Sequence, residues 1–103
     1  MTFYPLEKAA SLHARYRKAF RFAGHHLLLL QHDGKPFIMD NICPHAGYPM
    51  LHGLVIGGNL RCPMHGYLFD LDNGACRMSS EGPCNDIGVY EVAVIGDDIG
   101  VWL

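Results

Sequence analysis

A chain of 103 residues has room for one hydrophobic core and no second catalytic domain. Half of its residues are hydrophobic and 17% are charged, a balance that excludes intrinsic disorder. Eight Lys and Arg against ten Asp and Glu leave a formal charge of −2, so there is no basic field to attract a phosphate backbone, and no nucleic acid partner is expected.

The first residues, Met1-Thr2-Phe3-Tyr4-Pro5, lack the basic segment and apolar stretch of a secretory leader, which makes a cytoplasmic protein the expectation. Phe20 and Phe22 flank Arg21 and begin an alternating strand, and Ala23-Gly24-His25-His26 breaks it. Leu27 to Leu30 is the longest apolar run that suggests a membrane. At four residues it falls far short of the roughly 20 needed to span a bilayer, and it reads as a buried strand with no membrane partner. His32-Asp33-Gly34-Lys35 carries Asp-Gly turn chemistry, so Pro36 to Asp40 is expected to return antiparallel to the leucine strand. Near the end, Tyr90, Val92 and Val94 alternate with Glu91 and Ala93. Gly96-Asp97-Asp98 makes a turn, and Ile99, Val101 and Leu103 alternate again as the second arm of a closing hairpin. The short spacing of turn signals makes the fold class all-β.

Residues 41–86 lie between these β regions, rich in Gly, Pro, Cys and His and without a sustained period. A long irregular stretch within one domain generally carries function. In a reducing compartment its four cysteines point to metal binding or plain burial rather than to a disulfide scaffold. Two motifs stand out: Cys43-Pro44-His45 and, after 16 intervening residues, Cys62-Pro63-Met64-His65. Each pairs a thiolate with an imidazole. A two-iron core accepts soft thiolates on one iron, and neutral imidazoles in place of two anionic ligands on the other make the reduced state easier to reach. Gly47 and Gly66 follow the candidate ligands and let the backbone approach closely enough to aim N–H groups at a sulfide.

A zinc site in a structural or regulatory module also uses two Cys and two His, but its usual spacing pairs Cys with Cys and His with His ahead of a helix. A Cys-His nucleophile needs one such pair and an orienting third group, not two similar pairs.

Cys-Pro-His-Ala-Gly at 43–47 with Cys-Pro-Met-His-Gly-Tyr-Leu-Phe-Asp at 62–70 resembles the two cluster-binding loops of Rieske proteins. Asn73-Gly74 after the second loop and Gly82-Pro83, similar to the family's proline loop, extend the likeness across residues 1–103, with 41–86 as the cluster-binding part. The resemblance implies a Rieske-like antiparallel β-sandwich with the cluster loops at one tip. It implies one [2Fe–2S] cluster, with Cys43 and Cys62 on the inner iron and His45 and His65 on the outer iron, near the surface.

High-potential members of respiratory complexes carry a further cysteine in each loop and hydroxyls that hydrogen-bond the cluster. Gly47 and Met64 stand where those cysteines would be, Tyr67 replaces the usual serine and Phe69 the usual tyrosine. Hydrogen bonds to sulfur favour the more negative reduced state, so their loss implies a potential low in the class. Too short for a mononuclear iron domain, the chain resembles the Rieske ferredoxins that carry an electron from a flavin-dependent reductase to a terminal, ring-hydroxylating oxygenase. The small subunit of an assimilatory nitrite reductase is the alternative.

Cys76 and Cys84 fall outside both motifs and read as small buried thiols, with a redox-sensitive pair as the alternative. His13, His25, His26, His32 and His52 read as solvated, although His52 lies between the motifs and is a candidate for the cluster-side surface. Met50, Leu51, Leu54 and Val55 are candidates to cover the loops or to pack the core, and Trp102 reads as a packing residue.

Overall fold

Leu27, Leu28, Leu29 and Leu30 are all fully buried, which requires a strand covered on both faces. The computed structural model, which describes residues 1–45, 47–64, 66–79, 82 and 84–103, shows how this is done. The strand β3 (His25–His32) lies between β2 (Arg17–Phe22) and β4 (Lys35–Asp40), and β4 also pairs with β9 (Val89–Tyr90), all antiparallel. Leu27 and Leu29 point with Ile38 into one core, closed by Tyr16, Ile99 and Val101. Leu28 and Leu30 point with Met39 into another, shared with Met50, Leu60, Tyr67 and Phe69. The first core is covered by a sheet of order β1-β11-β10, made of β1 (Phe3–Lys8), β11 (Asp98–Trp102) and β10 (Ala93–Ile95). The second belongs to a sheet of order β5-β6-β7-β8, made of Leu54–Ile56, Asn59–Arg61, Leu68–Asp70 and Cys76–Met78. Each buried leucine contributes about 1.5–3 kcal/mol, so this run is a large share of what holds three sheets together.

The expected all-β antiparallel fold is therefore present, with three sheets in place of two. Among the described residues only two short 3-10 turns, Ala9–Ser11 and Met50–His52, are helical, and no helix is long and apolar enough to cross a membrane. The turn at Asp33-Gly34 has both residues at positive φ (53° and 74°), the mirror-type hairpin turn that suits strand twist. Ala23 and Gly24 repeat it at 49° and 78°, so the expected four-residue break shrinks to two and His25 already belongs to β3.

Two features depart from the sequence pattern. The alternating stretch Tyr90 to Val94 is two strands, because the chain leaves one sheet after Tyr90 and joins the other at Ala93. The hydroxyl of Tyr90 donates to Asp40 Oδ1 at 2.7 Å and pins that crossing. The strand β1 carries no signal because Pro5 sits in it beside a register shift between Pro5 and Glu7, which an edge strand tolerates. Trp102 is 45% exposed and lies against the Phe3 ring at 5.5 Å, a surface contact between paired strands rather than core packing.

Candidate metal centre

The loop after β4 is tied at its base. Ile42 forms an isolated bridge with Pro49, and Asn41 accepts the Met50 N–H on its carbonyl (2.6 Å) and the Leu51 N–H on Oδ1 (2.9 Å). Arg17 reaches across from β2 and donates Nη1 to the carbonyls of Leu51 (3.0 Å) and Gly53. Inside, the Cys43 N–H donates to the Tyr48 carbonyl at 2.9 Å, and the Gly47 N–H to the Cys43 carbonyl at 2.8 Å. The loop between β6 and β7 repeats the device: the Cys62 N–H donates to the Tyr67 carbonyl at 2.8 Å. Both segments read Cys-Pro-x-x-Gly-Tyr, and in both the glycine is left-handed, with φ 67° at Gly47 and 71° at Gly66. An L-residue held there costs about 1–2 kcal/mol, which is why glycine completes each loop.

These loops bring Cys43 and Cys62 together. Both are buried (1% and 0% exposed) in the core shared with Leu28, Met39 and Phe69, and their thiols are hydrogen-bonded to each other. Burial, and then the Cys43 contact, push the Cys62 thiol up to about 11, while the backbone N–H of Met64, donating to the Cys62 sulfur, pulls the other way. Burial of this kind favours the neutral thiol, and a bound cation would hold it as thiolate. Among the described residues no three His, Cys, Asp or Glu side chains are grouped to hold one ion.

His45 is half-buried, with Nδ1 shielded from solvent, and its ring stacks on that of Tyr67 at 4.1 Å and 13°. His65, the fourth candidate ligand, and Pro83 of the Gly82-Pro83 segment lie outside the described residues. A buried pair of thiols with a peptide N–H on one sulfur, and an imidazole supplied from the first motif, has the donor chemistry that a [2Fe–2S] cluster asks for.

The sequence did not reveal the supports. Arg17 lies 26 residues from Cys43, and its role has no local signature. Tyr67 and Phe69 are fully buried, so the second loop is anchored in the core. Met50 is buried beneath the first loop and Leu51 and Val55 pack against the same core, but Leu54 is 61% exposed and covers nothing. His52 is exposed, while His13 and His25 lie edge-on to Tyr16 and Tyr90 rather than wholly in solvent.

Cys76 and Cys84 are not the small buried thiols expected; they form a disulfide, with Cα atoms 6.1 Å apart. The return of the chain explains it. The Ile87 N–H donates to the Gly74 carbonyl (2.9 Å) and the Cys76 N–H to Asp86 Oδ1 (2.9 Å), which sets the backbone at 74–76 beside that at 86–87 and the two cysteines within reach of each other. The half-cystines pack against the core that holds Cys43 and Cys62.

A three-sheet antiparallel domain presenting a buried thiol pair on matched Cys-Pro-x-x-Gly-Tyr loops defines an iron–sulfur class of protein. Residues 2–101 match the Rieske [2Fe-2S] domain, and the chain belongs to that family. Membership implies a [2Fe–2S] cluster and makes the chain a Rieske-domain electron carrier. The ferredoxin of carbazole 1,9a-dioxygenase from Nocardioides aromaticivorans IC177 has a similar fold, with a TM-score of 0.82 at 24% identity over 98% of this chain and 97% of that one. A chain in a complex of reduced oxygenase and oxidised ferredoxin in carbazole 1,9a-dioxygenase is also similar, with a TM-score of 0.78 at 20% identity over 93% of this chain and 97% of that one. In sequence, the chain is 29% identical over 101 residues to chlorophyllide a oxygenase of Chlamydomonas reinhardtii, covering 97% of this chain and 16% of that protein. It spans less than a quarter of the length of the first curated relatives it matches.

Proposed function

We propose that this chain is a low-potential Rieske ferredoxin that takes one electron from a flavin-dependent reductase and delivers it to a terminal, ring-hydroxylating oxygenase. Cys43 and Cys62 hold one iron and His45 and His65 the other. The observation that carries this reading is the contact between two buried thiols delivered by loops of the same sequence and the same hydrogen-bond closure. A [2Fe–2S] cluster bound there supplies reversible one-electron chemistry.

The protein's own contribution is to keep water out and to offer a docking surface. Tyr67, Phe69 and Met50 wall the sulfurs from solvent, while Ile42, Tyr48 and Met64, 36–41% exposed, put apolar surface around the loops. Half-exposed apolar side chains of this kind suit a transient encounter, which typically buries less than about 1,200 Å². The likeness in fold to a dioxygenase ferredoxin supports the partner assignment. A second reading, the Rieske portion of a larger oxygenase, is favoured by the short share of the curated relatives that the chain covers. The mass of the native protein separates the two, since a free carrier runs near the size of one Rieske domain and an oxygenase runs several times larger.

Dithionite titration and voltammetry of the purified chain test the carrier reading. One electron per chain is expected, with a midpoint toward the lower end of the Rieske range of roughly −150 to +300 mV. Cys43→Ser and Cys62→Ser are expected to abolish the signal, and His45→Ala to leave at best a labile one. A redox-silent protein holding zinc, or a His45→Ala variant equal to wild type, would overturn the reading.

A further inference from the structure

We propose that Tyr67 is the positioning residue for the His45 imidazole, and that it acts through the face of its ring. The proposal rests on the reading of His45 as an iron ligand.

Tyr67 touches both loops. Its carbonyl accepts the Cys62 N–H within the second loop, and its ring lies parallel to His45 of the first, with centroids 4.1 Å apart and planes within 13°. One residue thus braces a thiol-bearing backbone with its main chain and the other motif's imidazole with its side chain. The ring has little freedom to swing away, because Tyr67 is completely buried in the core that also holds Leu28, Leu30, Met39 and Phe69. A half-buried imidazole with one face on such a wall keeps one orientation, as a ligand needs when its neighbours must fix it.

The equivalent residue of the first loop isolates the effect. Tyr48 plays the same backbone part, accepting the Cys43 N–H, yet its side chain is 39% exposed. The loop backbone therefore does not dictate where a tyrosine ring goes; the buried stack belongs to Tyr67. Parallel rings also meet through their π faces, an attraction that grows when the imidazole gives its lone pair to a cation and becomes electron-poor. Neither contribution needs the phenol oxygen.

Tyr67→Phe, Tyr67→Leu and Tyr67→Met, made in the full chain and isolated with their metal, test this. Iron and acid-labile sulfide, the g values of the reduced state by electron paramagnetic resonance, and the rate of aerobic bleaching are measured for each. Tyr67→Phe is expected to keep the wild-type g values and to bleach within twofold of wild type. Tyr67→Leu is expected to shift the g anisotropy and to bleach about two- to tenfold faster, the loss appropriate to one aromatic stack. Tyr67→Met, whose unbranched side chain fills the space differently, carries the same expectation if the leucine variant fails to load iron. A Tyr67→Phe protein displaced as far as the leucine or methionine variant would overturn the proposal in favour of the hydroxyl, and leucine and methionine variants identical to wild type would overturn it outright. Wild-type protein without iron and sulfide would overturn the ligand reading together with it, and is told apart by that analysis alone.

Discussion

The loop at 43–48 and the loop at 62–67 have the same Cys-Pro-x-x-Gly-Tyr sequence, the same cysteine-to-tyrosine hydrogen bond and the same left-handed glycine, yet they are held in different ways. The second sits inside a hairpin of one sheet, where the pairing of Arg61 with Leu68 closes it and the fully buried Tyr67 roots it in the core. The first joins two sheets and has only a single bridge, Ile42 with Pro49, and the Met50 N–H on the Asn41 carbonyl at its base, so side chains reinforce the closing: the Asn41 amide oxygen accepts from Leu51, and Arg17 grips the carbonyls of Leu51 and Gly53. A repeated local sequence can thus fix a repeated loop shape while the surrounding topology decides what it depends on.

The largest effect expected from breaking a support belongs to the third closure, the Cys76–Cys84 disulfide packed against the same core. Closing a loop of this length restricts the unfolded chain by about 2–3 kcal/mol, so the double serine variant should lose that much in urea unfolding. Wild type treated with a dithiol should match it, and the variant should not respond to the dithiol.

Arg17→Met comes next. It removes charged hydrogen bonds to two carbonyls and should cost about 1.5–3 kcal/mol, with faster hydrogen exchange in residues 42–53 than in 62–67. Equal acceleration in both loops would erase the contrast drawn between them.

The glycines compare the loops most closely. Gly47→Ala and Gly66→Ala should each cost about 1–2 kcal/mol for the left-handed backbone, but an added Cβ at Gly47 meets open space whereas at Gly66 it meets the Arg61 guanidinium at 3.0 Å. Arg61 is exposed and its guanidinium can move aside, so the two variants should cost nearly the same, and adding Arg61→Ala should change the Gly66→Ala cost little.

The smallest effect at ordinary pH lies in the core that the β1-β11-β10 sheet covers, where Tyr16 and Tyr90 pack. Burial, then the hydrogen bond to Asp40, raises Tyr90 to about 12, and burial with the hydrogen bond to Glu7 raises Tyr16 further above its usual range. Because the fold favours the neutral phenols, their contribution is complete below pH about 10, the unfolded value, and is lost as pH rises through the folded one. Urea midpoints should fall between pH 10 and 12, and Tyr90→Phe should fall less.

Much of this was legible in the residues themselves. Leu27 to Leu30 reads as a buried strand, Asp33-Gly34 as a hairpin turn, and the paired Cys-Pro motifs as the loops of a Rieske domain, because each is a local pattern. The strands of the β5-β6-β7-β8 sheet were not legible, since three residues cannot display a period. Neither were the Cys76–Cys84 bond, the reach of Arg17, or the stacking of Tyr67 on His45, which exist only once distant segments meet.

Mössbauer spectroscopy of iron-57-enriched protein, with iron and acid-labile sulfide counted on the same sample, tests the donor assignment most directly. The expected result is a two-iron, two-sulfide cluster with two inequivalent iron sites in the oxidised state, one with thiolate donors and one with imidazoles. A single type of iron, or a lone metal ion without labile sulfide, would contradict the assignment of Cys43, His45, Cys62 and His65.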